Sequence, residues 1–186
     1  MPDDDIATSN RLSTPDDWSE SWESYNPETV VFDPTKPIFA DIHALLQRHL
    51  PKDDNSRFIE VGCYPGSYMW YFNRYYGYKP WGLDYVEWCC KACLEHLAKA
   101  GVDAEVINAD FLSYEPPADE LWDVVASVGF IEHFTNTEEV INKHLDMIKP
   151  GGYLVLAIPN HQKVYGELLK RIDIDKYRIH NCMTYD

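Results

Sequence analysis

From Arg57 onward, short and mostly apolar runs alternate with amphipathic stretches, and this alternation limits the possible folds more than any other feature of the sequence. Strands are predicted at Arg57–Val61 and Lys79–Asp84 and at residues 104–108, 121–128 and 153–158. Strands that alternate with helices are joined by right-handed crossovers and lie parallel. The sequence therefore predicts an α/β fold with five parallel strands in one doubly wound sheet.

Four amphipathic helices are predicted from apolar side chains at helical spacing: one before the first strand, one at residues 67–76, one at residues 86–99 and one after Asn136. Asn136, with Glu139 three positions later, has the pattern of a capping box. The last helix is expected to end at residues 150–152, the run Pro-Gly-Gly. The side chains expected to face the core are, in chain order, Ile38, Ile42, Leu45 and Leu46; Met69, Phe72 and Tyr76; Val86, Cys90, Cys93, Leu94 and Leu97; and Val140, Ile141, Leu145 and Ile148.

The length and the net charge of the chain limit the classes of protein and the binding partners that are possible. Its 186 residues suffice for one main domain, which we assign to residues 36–186. Sixteen Lys and Arg residues against 31 Asp and Glu residues give a net charge of −15, which repels phosphate backbones and disfavours a nucleic-acid partner. No apolar run approaches the ~20 residues of a membrane-spanning helix, and the start does not have the pattern of a secretory signal. We therefore predict a cytoplasmic protein without a membrane partner.

Residues 1–35 form an acidic leader in which Arg11 is the one basic residue. Two interpretations are open. The leader is either solvated and partly disordered, or it is a flap over a bound substrate, because Trp18, Trp22 and Tyr25 interrupt the acidic residues.

The five cysteines are an odd number in a chain without a recognisable signal, which favours free thiols. Cys89, Cys90 and Cys93 lie close in sequence, but a structural zinc site needs four ligands, and the rest are not found at a familiar spacing. We therefore predict a helix that packs these thiols inward, and no metal site.

Candidate binding residues follow the first three strands, where ligands bind in doubly wound sheets. The loop after the first strand contains Gly62 and Gly66, which permit a sharp turn and a close approach of the next helix. Asp84 ends the second strand and suits either the hydroxyl groups of a ribose or a helix N-cap. Asp110 and Phe111 follow the third strand, where they are either a loop turn or contacts to an adenine ring.

In this order, six short motifs resemble those of class I S-adenosylmethionine-dependent methyltransferases, over residues ~38 to 160. They are Glu60-x-Gly62-x-x-x-Gly66, Asp84, Ala109-Asp110-Phe111, Asp123-x-x-x-Ser127, Glu132-His133-Phe134 and Lys149-x-x-Gly152. The resemblance implies a Rossmann-like sheet of order 3-2-1-4-5 and S-adenosylmethionine as the cofactor.

The resemblance also implies a role for each matching residue. The loop of Gly62, Cys63, Tyr64 and Gly66 would line the methionyl and ribose side, and Glu60 would support that loop and the amino group of the cofactor. Asp84, with Tyr85 beside it, would hold the ribose. Asp110 and Phe111 would contact the adenine, and Ser127 and Val128 would contact the methionine portion.

The chain departs from the family pattern at two places. Tyr64 stands where the family usually has the central glycine of the loop, which implies either a repositioned loop or weaker cofactor binding. The family's helix and antiparallel hairpin after the fifth strand are not found, so the domain is expected to be incomplete at its C-terminal end. Either the chain is a fragment, or a partner chain or a second copy covers the edge of the fifth strand.

His133 is the candidate catalytic residue, because an oxygen acceptor must lose a proton and a histidine near the methyl group can take it. His180 and His161 are weaker candidates. The function expected is methylation of an oxygen or nitrogen atom of a small-molecule acceptor. Two alternatives stay open: a cofactor-binding or scaffold module without activity, and a nicotinamide-dependent oxidoreductase, which the G-x-x-x-G spacing of the loop disfavours.

Overall fold

The computed structural model describes residues 10–23, 30–117, 119–161 and 163–183. The strands in these ranges are β1 (Arg57–Val61), β2 (Lys79–Asp84), β3 (Glu105–Asn108), β4 (Trp122–Val128) and β5 (Ile148–Ala157). The helices are α1 (Pro15–Glu23), α2 (Pro37–His49), α3 (Ser67–Tyr76), α4 (Glu87–Lys99), α5 (Thr137–Asp146), α6 (Lys163–Ile172) and α7 (Ile174–Arg178). A 3₁₀ turn at Ile131–His133 follows β4.

The five strands form one parallel sheet of order β3-β2-β1-β4-β5, which confirms the predicted α/β fold and strand order. Strand β1 lies at the centre, where Phe58 pairs with Pro80 of β2 and with Val124 of β4. The strand order reverses beside β1, so the carboxyl ends of β1, β2 and β4 open onto the crevice where ligands bind in such sheets.

The start of β5 differs from the prediction. We expected the preceding helix to reach residues 150–152, but α5 ends at Asp146 and the strand begins at Ile148. The register shifts between Trp122 and Val124 of the neighbouring strand, which pair with Ile148 and Tyr153, so β5 has three more residues than β4 at this point. At Gly152 an added Cβ would lie 2.7 Å from the carbonyl oxygen of Asp123. Glycine therefore permits a close backbone approach inside the strand.

Side chains of alternating residues divide between two apolar clusters, one on each face of the sheet. Phe58 belongs to the cluster under α3 and α4, whereas Ile59 belongs to the cluster that includes Val140 of α5. Both side chains are fully buried. Such strands are expected in a sheet that helices cover on both faces.

The core-facing side chains predicted for α3 are all buried, whereas the other predicted helices differ from the expected stripe, as in α2, where Leu45 is half exposed. In α4, Leu94 is partly exposed and Cys89 is buried instead; in α5, Leu145 is half exposed and His144 is fully buried. The side chain of Ile38 lies outside the described part of α2, in which Leu46 is buried.

The predicted cap of α5 is present, with the Asn136 side chain accepting the backbone N–H of Glu139. The reciprocal half of the capping box is absent, because a leader residue replaces it. The backbone N–H of Asn136 donates to Asn10 Oδ1 over 2.6 Å, and Asn10 Nδ2 donates to the Glu139 carboxylate over 3.0 Å.

The described part of the leader lies against the carboxyl end of the sheet. The backbone N–H of Leu12 donates to the carbonyl of His133, and Arg11 forms an isolated antiparallel bridge with Phe134. Tyr25 lies outside the described residues. None of the helices in the described ranges has both the length and the apolarity that crossing a bilayer requires.

Candidate functional site

A cavity of about 670 Å³ opens at the carboxyl ends of β1, β2 and β4, a volume typical of small-molecule sites. Its walls come from the loop after β1, from the residues that follow β2, β3 and β4, and from the leader. The predicted residues that line it are Glu60, Gly62, Tyr64, Asp84, Tyr85, Phe111, Val128 and His133. Cys63, Gly66, Asp110 and Ser127 were also predicted to bind the cofactor, but these residues do not line this cavity.

Both glycines of the loop after β1 have left-handed backbone angles, with φ of 71° at Gly62 and 100° at Gly66. A Cβ at Gly62 would lie 2.9 Å from the ring of Phe130, and a Cβ at Gly66 would lie 3.0 Å from the sulfur of Cys93. These close contacts and the positive φ angles explain why glycine occupies both positions.

Tyr64, the residue in place of the usual central glycine, is buried in an aromatic cluster. Its ring lies 5.2 Å from that of Trp22 and 5.4 Å from that of Trp88, both edge-on. Tyr64 thereby joins the leader helix α1 to α4 at the wall of the cavity.

Glu60 presents a buried carboxylate at the cavity, only 4% exposed. Its Oε2 atom has no hydrogen-bond partner. Burial raises the pKa of this carboxyl well above its ordinary value, with further increases from the nearby Cys93 and Asp84. A buried carboxylate without a full set of partners is costly unless a cation or a donor completes it.

Asp84 is also buried, and one carboxylate oxygen accepts the backbone N–H of Val86 over 3.0 Å. Burial raises the pKa of Asp84, and the N–H groups of Val86, Tyr64 and Tyr85 oppose that rise. The N-cap residue of α4 is Val86 and no side chain caps the helix, so the predicted alternative of Asp84 as the N-cap is wrong. The guanidinium of Arg11 lies over the Tyr85 ring at 5.1 Å.

Asp110 forms an ion pair with Arg11 of the leader, and the same oxygen accepts the backbone N–H of Leu112 over 2.9 Å. The carboxylate is therefore engaged in a turn and in holding the leader. Phe111 lines the cavity with its ring edge-on to Phe130. That Asp110 contacts an adenine stays a prediction. Arg11 was not predicted as a site residue, although a single basic residue among acidic ones could have indicated a contact.

Cys63 and Ser127 lie in the core beneath the cavity. Cys63 is fully buried, and a Cβ on neighbouring Gly82 would come within 2.5 Å of its sulfur. Ser127 is 1% exposed and its Oγ atom has no partner. Neither residue lines the cavity, and their contact with a cofactor stays a prediction.

His133 lies in the 3₁₀ turn after β4, with Nδ1 2.7 Å from the carbonyl of Ile179. A carbonyl only accepts, so Nδ1 carries the proton and Nε2 has the lone pair. Burial lowers the pKa of His133 to about 4, so the imidazole is neutral at pH 7. The ring lies 4.7 Å from Trp18 and 4.5 Å from His180.

Glu132, next to His133, was part of a recognised motif but was not predicted as a site residue. It is 2% exposed, lines the cavity, and neither carboxylate oxygen has a hydrogen-bond partner. Burial raises its pKa to about 7. Because His133 is neutral at pH 7, the distance of 3.8 Å between Glu132 Oε1 and His133 Nε2 does not represent an ion pair.

The sheet order and the position of the cavity define a doubly wound α/β domain with its ligand site at the switch in strand order. A family profile described as a methyltransferase domain matches residues 35–184. The chain belongs to this methyltransferase-domain family.

Two curated relatives have similar sequences. The tRNA U34 carboxymethyltransferase of Desulfotalea psychrophila is 30% identical over 125 residues, which cover 63% of this chain and 38% of that protein. The ubiquinone biosynthesis O-methyltransferase of Leptothrix cholodnii is 26% identical over 118 residues, which cover 62% of this chain and 49% of that protein. The match thus spans less than half of either relative.

A similar solved structure is that of an S-adenosylmethionine-dependent methyltransferase from Geobacter sulfurreducens in complex with S-adenosyl-L-homocysteine. The TM-score is 0.58 at 18% identity, and the match covers 78% of this chain and 55% of that chain. At this identity the similarity concerns the fold.

Proposed function

We propose that the chain is the S-adenosylmethionine-binding part of a methyltransferase that acts on a small-molecule acceptor. Membership of the methyltransferase-domain family supports methyl transfer, and the sulfur-cofactor complex of the Geobacter protein supports the cofactor. The match covers less than half of each relative, so the reaction of the whole protein has to be established by experiment.

The observation that carries the proposal is the buried carboxylate of Glu60 with its unpartnered Oε2 at the wall of the cavity. S-adenosylmethionine carries an ammonium group and a sulfonium, so it would supply the positive charge that Glu60 lacks. A neutral or anionic ligand would leave the carboxylate uncompensated in a site of low dielectric constant.

The other cavity residues fit the remaining parts of the cofactor. Asp84 has carboxylate acceptor capacity beyond the Val86 N–H, as a ribose diol requires. Phe111 offers an apolar face beside the end of β3 for an adenine ring. Gly62 and Val128 would bound the methionine portion, with Tyr85 beside the ribose.

The cofactor supplies a methyl group activated by positively charged sulfur, so the protein must orient the acceptor and exclude water. Helix α1 serves the second task by placing Trp18 and Trp22 on the wall of the cavity. This placement supports the interpretation of the leader as a flap over the substrate. For an oxygen acceptor, Nε2 of His133 would accept the proton, since Nδ1 is held by Ile179.

The net charge of −15 supports a small molecule over a nucleic acid as the acceptor, since phosphate groups would be repelled. The acceptor class of the tRNA-modifying relative is therefore a competing outcome of the test and is not the proposal. A partner chain or a second copy along β5 stays a prediction.

The test is calorimetric titration of S-adenosylmethionine and S-adenosylhomocysteine, with NAD as a control, into the wild type and Asp84→Ala. We expect micromolar binding of both sulfur ligands, weakened about tenfold or more by Asp84→Ala, since a buried charged acceptor would be lost. Methyl transfer from labelled cofactor would then be assayed on phenols, amines and bulk tRNA.

Each result decides one part of the proposal. Binding of NAD in place of the sulfur ligands would establish the oxidoreductase alternative. Binding of the sulfur ligands without transfer to any acceptor would favour the scaffold alternative. Transfer to tRNA alone would overturn the small-molecule acceptor and leave methyl transfer standing.

A further inference from the structure

Three side chains from two distant segments of the chain meet on the wall of the cavity. Glu132 and His133 come from the turn after β4, and His180 comes from the segment after α7. One donor atom from each lies within 4.8 Å of the other two. Glu132 and His133 are buried, and His180 is partly buried.

We expect the Glu132 carboxylate to bind a positively charged partner. It is 2% exposed, and neither oxygen accepts a hydrogen bond within the described part of the chain. Leaving both oxygens of a buried carboxylate unsatisfied is strongly unfavourable unless a proton or a cation compensates.

His133 is already oriented as a metal ligand. Its Nδ1–H donates to the Ile179 carbonyl over 2.7 Å, which leaves the Nε2 lone pair 3.8 Å from Glu132 Oε1. Metal-ligating histidines commonly donate their second N–H to a backbone carbonyl or carboxylate, which fixes the tautomer and the ring orientation.

His180 is held beside the pair by its neighbours in sequence. The backbone N–H of Asn181 donates to the Glu132 carbonyl over 2.5 Å, and its Nδ2 donates to the Phe134 carbonyl over 3.2 Å. With the bond from His133 to Ile179, these contacts fasten residues 179–181 to the turn after β4. The cluster is therefore built by the fold.

We propose that Glu132, His133 and His180 form a binding site for one divalent transition-metal cation, of which Zn²⁺ is the best match. Two imidazole nitrogens and one carboxylate are a known set of three protein ligands for zinc that leaves a position open. Imidazole ligands favour Zn²⁺ and its neighbours, whereas Mg²⁺ and Ca²⁺ favour oxygen. Small side-chain rotations would bring the three donors to zinc bond lengths of about 2.0–2.2 Å.

The site goes beyond the proposed function, and only its use in catalysis rests on that function. All three residues line the cavity, so the open position faces the space assigned to the acceptor. A bound cation would take the Nε2 lone pair of His133 and replace its role as base. It would instead bind an acceptor hydroxyl and lower its pKa, with the proton released to solvent.

The test is calorimetric titration of Zn²⁺ alone into chelator-treated protein, without the sulfur cofactor. We expect one ion per chain, and affinity reduced about tenfold or more in Glu132→Gln and in His180→Asn. His49→Asn is the matched control, since His49 is exposed at the end of α2. Substitution by Co²⁺ should give visible ligand-field bands without thiolate charge-transfer bands, which separates this site from the buried cysteines.

The proposal is overturned if Zn²⁺ binds the wild type and Glu132→Gln equally well, if it does not bind, or if Co²⁺ shows thiolate ligation. Tight Mg²⁺ binding in place of Zn²⁺ would also overturn it. Because circular dichroism reports folding of each variant and cofactor binding is measured separately, failure here is distinguishable from failure of the proposed function.

Discussion

The guanidinium of Arg11 pairs with the carboxylate of Asp110, so that a leader residue reaches across the carboxyl edge of the sheet to the loop after β3. The side chains of both residues are largely shielded from solvent, at 14% and 32% exposure. Arg11 also lies over the ring of Tyr85. The leader is thus attached to the elements that surround the cavity.

Replacing Arg11 by methionine should destabilise the folded chain by about 1 kcal/mol, because a partly buried ion pair and a cation–π contact are lost while apolar volume is kept. Thermal denaturation followed by circular dichroism measures this. Lys91→Met is the control, since Lys91 and Glu87 are both about 70% exposed in their ion pair. Equal effects of the two substitutions would show that Arg11 does not anchor the leader.

Gly62→Ala should destabilise the protein by about 1–3 kcal/mol, since alanine at positive φ is strained and its Cβ would meet Phe130. Gly101→Ala is a matched control: Gly101 has a similar φ of 75°, and an added Cβ meets no atom within 4 Å. The difference between the two free energies of unfolding, measured in urea, isolates the contact with Phe130. No difference would contradict the close approach at the loop.

Glu60→Gln should stabilise the protein relative to the wild type as the pH rises. Burial raises the pKa of Glu60 in the folded state above its ordinary value of 4.5. The folded state therefore binds this proton more tightly than the unfolded state, and stability is lost as the pH rises from about 4.5 through the folded-state pKa. Glutamine has no proton to lose in this range.

Urea denaturation across this pH range measures the difference. The gain should be absent below pH 4.5 and should grow above it, while the exposed Glu105→Gln should show no such trend. A constant difference at all pH values would mean that the effect is not due to ionisation of Glu60. The same variant should bind S-adenosylmethionine more weakly.

The sheet was predictable because its signals are local. Strands β1 and β2 have the predicted bounds, since apolar runs end at Gly62 and at Asp84. The start of β5 was not predictable, since Pro150 and Gly151 usually end regular structure and here lie inside a strand, at the point where its register with β4 shifts. Pairing with β4 on both sides of these residues makes them part of the strand, and this pairing is a tertiary interaction that local sequence patterns do not indicate.

The part of the candidate site that local sequence patterns indicate was predictable. Asp84 ends β2 and Phe111 follows β3, and both residues line the cavity as expected. The cluster of Glu132 with His180 depends on hydrogen bonds that join distant segments, and Arg11 acts from a leader without a periodic pattern. The spacing of residues along the sequence therefore does not predict these contacts.

Tyr64→Ala should loosen the leader helix α1, because the Tyr64 ring is the contact between Trp22 and Trp88. Loss of a buried aromatic side chain destabilises a protein by about 3–5 kcal/mol. Part of this free energy should come from the contact that holds α1 in place. Hydrogen exchange at residues 15–23 should therefore accelerate more than exchange in β1. Tyr64→Phe keeps the ring and is the control, for which a much smaller change is expected. If α1 exchanged equally fast in the wild type and in Tyr64→Ala, the aromatic residue in the glycine loop would not serve to hold the leader over the cavity.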